Sequence, residues 1–109
     1  MARGRWGEDL AQRWYADRGY EVLDRNWRCA GGEIDLVVRT ATIVVFVEVK
    51  ARASNRFGEA AAAVDGRKQQ RVRLAGLRWL TAHPEHHGDL RFDVVAVTGT
   101  KLDVIEAAY

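Results

Sequence analysis

Six consecutive residues, Thr42-Ile43-Val44-Val45-Phe46-Val47, are β-branched or aromatic, and the run stops at Glu48-Val49-Lys50. A stretch apolar at every position suits a strand covered on both faces. Side chains alternate along a strand, so Glu48 and Lys50 share one face just past the buried part. Charges placed there are costly unless paired, hydrated or bound to a metal. A second strand is expected over Glu33-Ile34-Asp35-Leu36-Val37-Val38, after the turn signal Gly31-Gly32. Strict alternation puts Ile34, Leu36 and Val38 on one face and Glu33 and Asp35 on the other. Strands joined by a short connection usually pair. Three carboxylates (Glu33, Asp35, Glu48) and one ammonium (Lys50) are therefore expected on one side of a sheet.

Clustered carboxylates repel, and a hard divalent cation with oxygen ligands resolves the repulsion. Mg²⁺ takes one or two carboxylates and keeps several waters. Such an ion polarises a phosphoryl oxygen and acidifies a bound water, and a lysine beside it can orient that water or stabilise developing charge. These are the ingredients of metal-assisted phosphodiester hydrolysis. The competing structural explanation is an ion pair where the strand leaves the core. Against it, the 17 basic residues split into 14 Arg and three Lys, and Lys50 is one of the three. Lysine is a compact point charge suited to a water or a phosphate oxygen.

Around this centre the chain reads as one α/β domain over 1–109 with a central mixed sheet. Trp6, Leu10 and Trp14 give an amphipathic helix over 4–18 that Gly19 can end. A short strand is expected over 20–23, and a second helix from about residue 60 or 66 to 82. Two further strands cover 91–98 and 102–107. With 109 residues, 48% of them hydrophobic, there is material for one core. The single cysteine, Cys29, excludes a disulfide framework and is expected to be a small apolar residue. No run is long enough for a membrane span, and residues 1–5 carry no apolar signal region, so a cytoplasmic location is expected.

Charge is uneven. Residues 50–78 carry eight basic residues and two acids, net +6, against +2 for the whole chain. A basic loop and helix beside an acidic site match what a nucleic-acid enzyme needs, with Arg52, Arg56, Lys68 and Arg71 as phosphate contacts. Trp6, Trp14 and Trp79 are expected in the core and Trp27 as a stacking candidate. His83, His86 and His87 are expected to be solvated, and Asp93 to serve a structural ion pair.

Taken together, Gly7-Glu8, Gly19-Tyr20, Asn26-Trp27-Arg28, Gly32-Glu33-Ile34-Asp35-Leu36, Phe46-Val47-Glu48-Val49-Lys50-x-Arg52, Phe57-Gly58, Lys68-x-x-Arg71 and Arg91-Phe92-Asp93 resemble the YraN-like uncharacterised protein family over nearly the whole chain. That family in turn resembles restriction-endonuclease-like nucleases, most closely archaeal Holliday-junction resolvases. The resemblance implies that fold, and roles in catalysis for Glu8, Asp35, Glu48 and Lys50. The resulting expectation is a Mg²⁺- or Mn²⁺-dependent nuclease acting on DNA, branched or flapped. Asp35, Glu48 and the Val49 carbonyl hold the ion, Lys50 positions the attacking water, and Glu8 assists. Cutting both strands calls for a homodimer or a protein partner. Two departures stand out. Ile34 occupies the place where a proline often precedes the motif aspartate, and the Gln-x-x-x-Tyr element of the RecB-type branch is absent. The alternative expectation is a non-catalytic nucleic-acid-binding or partner-docking module that keeps the fold.

Overall fold

The computed structural model describes residues 2–51 and 66–109. Helix α1 (Ala2–Asp17) is followed by strands β1 (Glu21–Cys29), β2 (Gly32–Arg39) and β3 (Ile43–Ala51). Helix α2 (Gly66–Ala82), β4 (Asp89–Thr98) and β5 (Lys101–Ile105) complete the order. The strands form one sheet in sequence order. The β3–β4 pair is parallel and the other three are antiparallel. Parallel neighbours require a crossover, and α2 lies in the one between β3 and β4. Among the described residues, no helix is long and apolar enough to cross a membrane.

The apolar run lies in β3 between β2 and β4, as its composition requires, and its alternating side chains feed two cores. Val45 and Val47 pack with Leu36, Val38, Val95 and Val97 against Ala11 and Tyr15 of α1. Val44 and Phe46 pack with Val37 and Phe92 against Val72, Ala75 and Trp79 of α2. A Cβ on Gly76 would meet the Phe46 ring at 3.2 Å, so glycine lets this helix lie close to the sheet. Gly19 ends α1 as expected, with φ +87° and its N–H donated to the Ala16 carbonyl at 3.1 Å.

Four expectations need correction. Ile34 does not share a face with Leu36 and Val38, because it packs with the α2 cluster. The β1 strand is longer than 20–23, running to Cys29. Trp6 is 45% exposed rather than in the core. His83 and His86 are half-buried, their rings stacked on Trp79 at 4.1 and 5.7 Å. Trp79 and Trp14 do pack in the cores, and Trp27 packs at the edge of the α2 cluster.

Candidate metal and phosphate site

The break in alternation at Ile34 builds the site. The β2–β3 ladder ends at Leu36↔Val47, whereas β3 continues beside β4 as far as Ala51↔Val97. Past the ladder's end the Val49 N–H has lost its strand partner. The Asp35 carboxylate replaces it, with Oδ2 accepting that N–H at 2.8 Å. On the other side, β1 pairs Arg25 with Leu36 and Trp27 with Ile34, leaving Asn26 opposite Asp35. Asn26 has φ +53°, a left-handed conformation that asparagine tolerates better than most residues. Its side chain donates to Glu8 Oε1 at 2.8 Å, and Arg25 Nε donates to the same oxygen at 3.3 Å. Glu8 is thereby tied to β1 and almost fully buried.

Where β2 and β3 part, a cavity of about 260 Å³ opens between α1 and α2. Glu8, Asp35, Glu48 and Lys50 all line it, as does Val49. Glu48 is 5% exposed. Lys50 Nζ lies 3.4 Å from Glu48 Oε1, so the two do share a face. Lys68, from the first turn of α2, lies closer to the same oxygen, at 2.6 Å. It was expected only as a phosphate contact; here it is part of the carboxylate cluster. Arg71 is exposed one turn further along the helix. Arg52 and Arg56 lie outside the described residues.

Glu33 reaches the cavity wall, but its carboxylate pairs with Arg28 at 3.2 Å, and both side chains are more than half exposed. The three carboxylates and Lys50 do line one cavity, but Glu33 turns its charge to Arg28. Among the described residues, no three His, Cys, Asp or Glu side chains form a metal-binding group. The core of the site is two acids and two lysines.

These charges perturb one another. Burial, and next the Glu48 carboxylate, push the Asp35 carboxyl up to about 7, although the Val49 N–H opposes the shift. Burial pulls the Lys50 ammonium down, helped by Lys68 and opposed by Glu48. Burial is the strongest single pull on Lys68 and is downward, but its hydrogen bonds to Glu48 and Lys50 and the charges of Glu48 and Asp35 together outweigh it, and the net shift is upward. Two adjacent acids, one of them reluctant to ionise, fit a hard cation. Mg²⁺ needs no more than one or two carboxylates, and its charge would relieve the repulsion that raises Asp35.

Sequence reasoning missed Asn26, Arg25 and Lys68 as parts of this arrangement. It also read Gly32 as a turn residue only. A Cβ there would sit 2.9 Å from the Arg71 carbonyl oxygen, so Gly32 is needed for the hairpin to touch α2. Gly31, at φ +88°, is the residue that makes the turn.

Comparison with known proteins places this sequence in a family. The profile of "Uncharacterised protein family UPF0102" matches residues 7–97. A UPF0102 protein of Frankia alni is 53% identical over 97 residues, covering 89% of this chain and 81% of the relative. One from Beutenbergia cavernae is 48% identical over 100 residues, covering 92% and 85%. One from Nocardia farcinica is 46% identical over 100 residues, covering 92% and 79%. The match takes in Glu8, Asp35, Glu48, Lys50 and Lys68, and by it the chain belongs to the UPF0102 family, the YraN-like family that its motifs resemble.

Proposed function

We propose that this protein is a divalent-metal-dependent phosphodiesterase of the restriction-endonuclease-like class, acting in the cytoplasm on branched or flapped DNA. One observation carries the reading. Two acids sit side by side in a cavity at the end of a buried strand, with two lysines against one of them. Asp35, Glu48 and the Val49 carbonyl would hold Mg²⁺ or Mn²⁺. When bound, the ion supplies Lewis acidity and acidifies a coordinated water.

The chain's own groups do the rest. Lys50, held against Glu48, orients the attacking water and offsets charge on the phosphate. Glu8, fixed by Asn26 and Arg25, gives the cavity a second acidic wall. Lys68 and Arg71 meet the DNA backbone from α2, joined by Arg52 and Arg56 from the basic segment before it. One site per chain cuts one strand, so cutting both requires a homodimer or a partner.

A second reading has its own observation. Lys68 and Lys50 already compensate Glu48 without any ion, as a non-catalytic binding module would allow. The two readings separate when Mg²⁺ or Mn²⁺ is titrated by calorimetry into wild type and Asp35→Asn, with forked, flapped and four-way DNA assayed for scission. The nuclease reading expects binding and scission in wild type and the loss of both in the variant. DNA held with no metal uptake and no scission would overturn it in favour of the binding module.

A further inference from the structure

A second cleft, of about 420 Å³, lies between the β1–β2 hairpin and the first turns of α2. It shares two wall residues, Glu33 and Lys68, with the carboxylate cavity. The two are therefore neighbours along one surface. Arg28 comes from the hairpin, and Lys68 and Arg71 from the helix. Glu33 is the one acid among its described lining residues. Its floor is formed by Cys29, Val72 and the glycine turn. Gly32 shapes this floor, because its missing Cβ brings the hairpin against the backbone of Arg71.

From this arrangement we infer that the cleft holds a single strand of nucleic acid running out of the carboxylate cavity, with Arg28 and Arg71 on the phosphates next to the reacting one. The inference rests on the phosphodiesterase reading for the direction of the strand. The cleft's size is that of cavities that take small ligands, which admits a nucleotide unit and excludes a duplex. Its charge suits a polyanion. Arg28 is free to exchange partners, because its pairing with Glu33 is largely solvent-exposed and such pairs are weak. Cys29, half-buried, offers an apolar contact to a base or sugar.

The full chain is tested without divalent metal, in EDTA, with a fluorescein-labelled oligothymidylate of eight nucleotides. Affinity is followed by anisotropy across a range of salt concentrations. The Arg28→Ala/Arg71→Ala double variant is expected to lower the salt slope by about 1.4, two contacts at about 0.7 each on single strands. Arg13→Ala, on the exposed side of α1 across the sheet, is expected to leave the slope unchanged. Cys29 is the only cysteine in the chain, so its alkylation rate reports directly on occupancy. An oligonucleotide concentration that just saturates wild type is expected to slow it at least fivefold there and measurably less in the double variant.

An equal loss of slope in Arg13→Ala, or an unchanged alkylation rate with oligonucleotide bound, overturns the inference. The two proposals fail separately. Protection of Cys29 with no scission under any metal would leave the cleft standing and remove the nuclease.

Discussion

Two acidic groups among the described residues, Asp93 and the Asp35–Glu48 pair, are treated in opposite ways. Asp93 is fully buried and fully satisfied. Tyr15 donates its hydroxyl at 2.7 Å, Arg91 donates from Nε and Nη2 at 2.8 and 2.9 Å, and the Ala107 N–H donates at 3.0 Å. Arg91 is in turn fixed by the Tyr20 hydroxyl at 2.9 Å. Asp35 receives one backbone N–H and has Glu48 for a neighbour. The first carboxylate is finished by the fold. The second keeps its conflict among the described residues, with one donor of its own and Glu48 beside it. Under the proposed function, the number of donors each carboxylate receives separates a structural acid from a functional one.

Breaking the finished cluster should cost most. Asp93→Ala strands Arg91 and Tyr15 in the interior, and loss of one partner of a buried pair costs about 3–5 kcal/mol. Urea denaturation checks this.

The unfinished cluster should respond with the opposite sign. The Asp35 carboxyl sits at about 7 in the folded chain, above its ordinary 3.8. Below pH 3.8 it is protonated in both folded and unfolded states. As pH rises, the unfolded chain ionises first, so stability is lost progressively up to and through about pH 7. The loss is roughly 1–4 kcal/mol. Asp35→Asn should therefore be more stable than wild type at pH 8 and should flatten stability over pH 4–7. Thermal melts across that range read both effects.

Smaller effects sharpen the comparison. Lys68→Met removes the nearer cation from Glu48 and should cost less than about 1 kcal/mol, since the lysine is about a third exposed. The same change should tighten Mn²⁺ binding, because the metal no longer competes with an ammonium at Oε1; calorimetry reads the shift. Glu33→Gln, at a largely exposed pair, should change stability by less than about 0.5 kcal/mol.

Much of this was legible in the residues. The run from Thr42 to Val47 keeps strict alternation in the structure, so the shared face of Glu48 and Lys50 followed from period two alone. Asp93 also fits its expected structural role. Ile34 was misplaced because the alternation Glu33–Val38 contains no mark of where β2 leaves β3; that break depends on how far each ladder runs. Asn26 was the available clue, as a residue tolerant of left-handed backbone opposite the break. The sequence places Lys68 only among the phosphate contacts, because the rotation of a helix relative to a distant strand cannot be read from its own periodicity. Its rarity among 14 arginines was the signal. The stacking of His83 and His86 on Trp79 depends on the loop after α2 folding back over that helix, which local polarity conceals.

The proposed function requires that Asp35 and Glu48 together take up one divalent cation and that Asp93 takes none. A Mg²⁺ titration at pH 8, followed by side-chain carboxyl ¹³C shifts, tests it most directly. The account predicts that Asp35 and Glu48 move together along one saturating curve at a stoichiometry of about one ion per chain, with Asp93 unmoved. Shifts confined to exposed carboxylates, drifting without saturation while Asp35 and Glu48 stay in place, would contradict it.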